Sequence, residues 1–166
     1  MNIRKLFYLI ILALTLFQTG CNSNNSTPVH SGEWANIEQL IMEKVNNHRT
    51  SLASPLAKLQ VDPKLTEQAR IHSTNMATGK TSYGHDWFTN RVAAAGYGNY
   101  AAGENVHRTG SNASTDPEYL ANYAVNGWLN SSGHRQNIEG NYNLSGVGIA
   151  KSSSGEYFFT QIFVKK

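Results

Sequence analysis

The apolar pattern of this chain changes period towards its C-terminal end, and that change limits what it can fold into. Trp34, Ile37, Ile41 and Val45 recur at spacings of three and four, one face of a first helix over residues 34–48. Asp62-Pro63 supplies a side-chain cap and a proline at the first helical position, and Leu65, Ala69, His72 and Met76 continue on one face to Gly79. A short apolar linker, 56–61, separates the two. A third, shorter helix is expected from Asp86 to Ala95, with Gly96 at the left-handed C-terminal position. Asp116-Pro117 repeats the cap-and-proline device for a fourth helix through Leu120, Tyr123, Ala124, Trp128 and Leu129, which Gly133 should stop. A strand is expected within 100–107. From Leu144 onward the pattern turns to strands at 144–151 and 156–165, joined by Ser152-Ser153-Ser154-Gly155 as a hairpin loop. Helices first and a terminal β-hairpin later predict an α+β sandwich, an antiparallel sheet covered by helices.

The N-terminal end carries a different message. Arg4 and Lys5 precede an apolar run from Leu6 to Phe17 and then Gln18-Thr19-Gly20-Cys21. A basic start, a short apolar core and small residues before a cut describe an export signal. The run is shorter than the roughly 20 apolar residues of a comfortable membrane span. Cys21 is the single cysteine, so no internal disulfide can form. Its setting resembles a bacterial lipobox, with Gln18 where leucine is usual, and predicts a lipid anchor at Cys21. The expected organisation is a signal peptide over 1–21, a polar tether over 22–32 and one folded domain over 33–166.

The net charge of +3 is carried largely by Arg4 and Lys5; without them the rest of the chain stands near +1. That is no electrostatic footprint for nucleic acid, which is excluded as a partner.

Candidate chemistry centres on Gly127-Trp128-Leu129-Asn130-Ser131-Ser132-Gly133-His134-Arg135-Gln136-Asn137-Ile138, read as a helix end, a glycine stop and a histidine at the mouth of a tight turn. Tyr83-Gly84-His85 and Ala102-Gly103-Glu104-Asn105 offer the imidazole and carboxylate that His134 would need as partners. His72, on an apolar stripe, is expected to be a buried histidine bonded to backbone or a neighbour.

Val45-Asn46-Asn47-His48-Arg49, Val61 to Leu65, Gly84-His85, Arg91 with Ala94 to Tyr97, Gly103 to Val106, Trp128 to Ile138, Gly146-Val147-Gly148 and Phe159-Thr160-Gln161 together resemble the bacterial branch of the CAP superfamily. This group unites cysteine-rich secretory, antigen 5 and pathogenesis-related 1 proteins, also called SCP-like. The resemblance runs in order from about residue 37 to 164. It implies a three-layer α-β-α sandwich and a central cavity to which His85, Glu104 and His134 match by motif position. The family's second acidic residue has no counterpart; Asn130 and Ser131 stand in its place. Asn46, Arg49, Arg91, Asn105, Arg135 and Asn137 are expected to bridge loops to backbone groups.

Two imidazoles and a carboxylate suit Zn²⁺ or another divalent metal, with water in the fourth position. A cavity in which these groups satisfy one another is the alternative. No catalytic residue is identified. A hydrolase, metal-assisted or using Ser131 or Ser132 with a histidine base, is a second class of function. Lipid or sterol binding, through loop aromatics Trp87, Tyr97 and Tyr100, is a third. An interaction module contacting envelope protein, lipid or a small polar ligand is a fourth. The expected location is the cell envelope, held on a bacterial membrane through Cys21, with a secreted soluble form as the alternative.

Overall fold

The computed structural model describes residues 32–166. Cys21, the expected signal peptide and nearly all of the tether lie outside the described residues. Five helices and four strands follow one another: α1 (Gly32–Ser51), β1 (Gln60–Val61), α2 (Pro63–Ala77), α3 (Phe88–Ala94), β2 (Ala101–Arg108), α4 (Pro117–Leu129), α5 (Ser132–Ile138), β3 (Leu144–Lys151) and β4 (Tyr157–Lys165). The sheet runs β1-β3-β4-β2. β1 lies parallel to β3, and the other two pairings are antiparallel. No helix among the described residues is long and apolar enough to cross a membrane.

β4 explains the layering. Its first eight residues are all buried, so both of its faces are covered. Successive strand residues point to opposite faces. Tyr157, Phe159 and Phe163 join Val147 and Ile149 of β3 in a core with α1, α4 and α5. Ile162 and Val164 join Leu65 and Ala69 of α2, Val92 of α3, and Ala95 and Tyr97 just beyond it. The result is the expected three-layer sandwich with a C-terminal hairpin.

Glycine sets the distance between α2 and the sheet. A Cβ on Gly146 would lie 2.1 Å from the Thr66 amide nitrogen, and one on Gly148 would lie 2.1 Å from that of Arg70. The helix backbone therefore rests directly on β3. Ser73 secures it, its hydroxyl reaching the Gly148 carbonyl at 3.0 Å and the Thr160 hydroxyl at 2.8 Å.

Both proline-led helices start as the sequence dictates. Asp62 Oδ1 accepts from the Leu65 amide at 2.9 Å, and Asp116 Oδ2 from the Tyr119 amide at 2.7 Å. Other expectations need correction. The linker 56–61 ends as strand β1, whose parallel partner lies more than 80 residues away. The third helix begins at Phe88, because Trp87 takes a left-handed conformation (φ 55°) at its N-cap. Gly133 stops nothing: α4 ends at Leu129, Ser131 is extended, and Gly133 sits in the first turn of α5. His134 is thus a helical residue. Tyr97 is a loop aromatic but a buried one, its hydroxyl donating to Asp62 Oδ2 at 2.7 Å. Tyr123, through which the fourth helix was expected to run, lies on α4 and is exposed.

The glycine contact yields a measurable expectation. Gly148→Ala must displace helix backbone and should cost at or beyond the top of the usual overpacking range of about 1–3 kcal/mol. Gly110→Ala, which meets nothing within 4 Å, should change stability by less than about 0.5 kcal/mol. Urea midpoints of the two variants check both; equal midpoints would contradict the close approach.

Candidate functional site

The site is built across the edge strand β2, whose adjacent residues face opposite ways. Glu104 points towards α3. Its side chain is 1% exposed, and a bare carboxylate so buried is costly. Arg91 of α3 compensates it: Nη2 donates to both carboxylate oxygens at 2.7 Å and Nε to Oε2 at 3.1 Å. Arg91 Nη1 also donates to the Asp86 carbonyl, which ties down the turn that carries His85. His85 Nδ1 lies 3.0 Å from Glu104 Oε1. With the carboxylate accepting at Nδ1–H, Nε2 is the remaining ring nitrogen and makes no hydrogen bond among the described residues. His72 fixes the same segment from below, Nε2 donating to the Gly84 carbonyl at 2.8 Å, so it is the buried, backbone-bonded histidine expected.

Asn105 organises the opposite side. Its Nδ2 donates to the His134 carbonyl at 3.0 Å. Asn137 donates from Nδ2 to the Glu104 carbonyl (3.1 Å) and to Asn105 Oδ1 (2.9 Å), so α5 is clipped to the strand at two points. The clip needs Gly103, where a Cβ would fall 2.7 Å from Asn137 Oδ1. The His85 and His134 rings then stand with centroids 6.3 Å apart, tilted by 55°. The structure thus brings together His85, Glu104 and His134.

Further out, Asn46 exchanges two bonds with the backbone of Leu59. Arg49 is 2% exposed and donates to the carbonyls of Ala57, Ile138, Gly140 and Tyr142. Arg135 differs from the expectation: it is exposed, and its side chain makes no hydrogen bond among the described residues. The Ser131 and Ser132 hydroxyls make none to either histidine among those residues, so no serine–histidine pair is assembled.

A zinc site of His85, Glu104 and His134 is a poor fit as three ligands. Both Glu104 oxygens already face the Arg91 guanidinium, whose charge opposes a metal cation beside it. Among the described residues no three His, Cys, Asp or Glu side chains are arranged to hold a metal. The two imidazoles remain available as donors, with Glu104 orienting His85.

Burial lowers His134 below the ordinary histidine value, helped by His85; it lowers His107, helped by His134; and it lowers His72. His107, from β2, is a site neighbour that the sequence reading missed. Its signal was available: strand alternation puts it on the same face as Asn105, which holds His134.

The family model described as cysteine-rich secretory protein family, CAP, matches residues 42–163. The chain belongs to this family. Uncharacterized protein YkwD of Bacillus subtilis (strain 168) is 30% identical over 153 residues, 89% of this chain and 54% of that protein. The chain therefore spans about half the length of the curated relative it matches. Among solved structures, an extracellular protein containing a SCP domain from Bacillus anthracis str. Ames is 28% identical, with a TM-score of 0.64 over 80% of this chain and 41% of that one. An outer surface protein from Borrelia burgdorferi shares the fold at 19% identity, with a TM-score of 0.62 over 78% of this chain and 92% of its own.

The three lowered histidines set a pH dependence for the CAP domain. Each stays neutral in the folded state while the unfolded chain takes up protons as pH falls through about 6.5. Their contribution is complete above that value and is lost progressively below it. Glu38, raised by burial against the pull of Arg70, works in the opposite direction as pH falls towards its ordinary range. Three imidazoles against one carboxylate give a net loss, so the urea midpoint should fall between about pH 7.5 and about pH 5.5. A midpoint that holds or rises would contradict the burial of these rings.

Proposed function

We infer that this is an exported CAP-domain protein of the bacterial cell envelope that works by binding, anchored to a membrane through a lipid on Cys21. The relatives whose names place them outside the cell or on its surface support the export half of this reading. The lipobox-like setting of Cys21 supports the anchor. Replacing Cys21 by serine should move the protein from the membrane fraction to the soluble exported fraction. Unchanged membrane partition would refute the anchor.

The observation that carries the binding reading is the buried Glu104 carboxylate, which orients His85 through Nδ1 and leaves its Nε2 free beside His134. A carboxylate behind an imidazole fixes the ring and raises its basicity as a ligand. His85 and His134 would hold a divalent ion of borderline softness, such as Zn²⁺, or a small polar ligand that donates hydrogen bonds. A bound metal there supplies Lewis acidity. Glu104 and Arg91 act as the frame and hold no ligand themselves.

Titration calorimetry with Zn²⁺ on the mature protein tests this directly. Binding should be lost in His85→Ala and in His134→Ala, and kept in His48→Ala, whose ring pairs instead with Glu139. It should weaken in acid, because protons compete for the same nitrogens. A wild-type protein that takes up no Zn²⁺, or histidine variants that bind as well as wild type, would sink the metal form of the proposal.

A further inference from the structure

A cleft of about 510 Å³ lies on the outer side of α4, lined by His107, Tyr119, Asn122, Tyr123, Asn126, Gly127 and Asn130. Tyr119, Tyr123, Asn126 and Asn130 recur along one side of the helix, away from the stripe that Leu120, Ala121, Ala124, Val125 and Trp128 bury in the core. Tyr119 and Tyr123 are 42% and 36% exposed, high for tyrosines that no packing requirement explains.

The floor of the cleft is built rather than incidental. The His107 ring lies against the helix at Gly127, where a Cβ would come within 2.4 Å of Nε2. There the imidazole stacks on Tyr123, with centroids 5.2 Å apart and ring planes 29° apart. Tyr119 continues the row at 6.0 Å from Tyr123 and 32°. The three rings follow one another in a short row, each tilted by about 30° to the next, and Tyr119 and Tyr123 stay open to solvent.

The rest of the lining defines the ligand. The Asn126 and Asn130 side chains make no hydrogen bond among the described residues, and Asn122 makes only a long one, 3.4 Å to Glu118. Each amide offers donors and an acceptor. Among the described residues no Lys, Arg, Asp or Glu lines the cleft, and burial favours the neutral form of His107. A lipid chain would strip water from these amides without replacing their hydrogen bonds. An anionic polymer would find no cation. Flat aromatic faces beside amides suit a ligand with apolar C–H faces rimmed by hydroxyl or acetamido groups.

We propose that the α4 cleft binds a neutral saccharide chain, with Tyr119, Tyr123 and His107 as the stacking platform and Asn122, Asn126 and Asn130 as the hydrogen-bonding edge. This site stands independently of metal at His85 and His134.

The test is titration of the full mature protein, without added metal, with two neutral probes: the β-1,4-linked tetramers of N-acetylglucosamine and of glucose. Binding is read by calorimetry and by NMR shifts of the tyrosine rings. At least one tetramer should bind and shift Tyr119 and Tyr123. Tyr119→Ala and Tyr123→Ala should each weaken it tenfold or more, and Asn126→Ala severalfold, with unchanged circular dichroism. Gly127→Ala, which pushes the His107 ring off the helix, should weaken binding while leaving every amide in place. His85→Ala should bind the tetramer as wild type does, which separates this site from the metal reading. Silence with both tetramers at millimolar concentration overturns the proposal, as does binding that survives both tyrosine replacements. Ring shifts produced by phosphocholine micelles instead of the tetramers would reassign the cleft to lipid and overturn it equally.

Discussion

The arrangement of the site depends on one buried carboxylate. Glu104 lies on the edge strand of the sheet with its side chain 1% exposed, so its charge must be met inside the protein. Arg91 meets it with a forked contact, and in doing so fixes α3, the Asp86 turn and the position of His85. A buried pair robbed of one partner typically loses about 3–5 kcal/mol, so neither residue is free to drift in sequence without the other. The same charge balance explains why Glu104 serves as an orienting group: its lone pairs are already in use.

Arg49 does comparable work without a carboxylate. It is fully buried, burial pushes its guanidinium below the usual arginine range, and four backbone carbonyls receive its donors. Those carbonyls come from the loop after α1, from the last residue of α5 and from the segment that follows it. With a single cysteine the chain has no internal disulfide to join these loops, and Arg49, together with Asn46 on Leu59, ties them instead. A guanidinium suits the task because its donors fan out in a plane, so one side chain can reach several separated carbonyls.

Local signals carried most of the fold. The Asp62-Pro63 and Asp116-Pro117 starts, the helical stripe of α1 and the alternation of β3 and β4 each depend on residues within a few positions of one another, and each appears where the sequence puts it. What escaped was non-local. β1 is two exposed residues that become a strand only through a parallel partner at Leu144 and Ser145. α5 buries only Ile138, so it has no apolar period to show. Arginines look alike in a sequence, yet Arg49 is enclosed by carbonyls and Arg135 is exposed, a difference set by loops distant in the chain. The convergence of His85, Glu104 and His134 was legible through family resemblance alone; their spacing along the chain says nothing of it. The cleft on α4 was hidden because Tyr123 adjoins the core stripe in sequence but turns outward at His107.

Strand alternation in β2 links these features. Glu104 on one face carries the Arg91–His85 frame. Asn105 and His107 on the other carry α5, with His134, and the floor of the α4 cleft. The imidazoles of His85, His134 and His107 therefore form a row around a single edge strand, each close enough to influence the charge of the next. A proton on one opposes a proton on its neighbour, and burial opposes it further at His134 and His107. Near neutral pH these two rings stay uncharged and keep an acceptor nitrogen each. The same desolvation that costs stability in acid therefore keeps both rings neutral near pH 7, the form in which an imidazole nitrogen can accept.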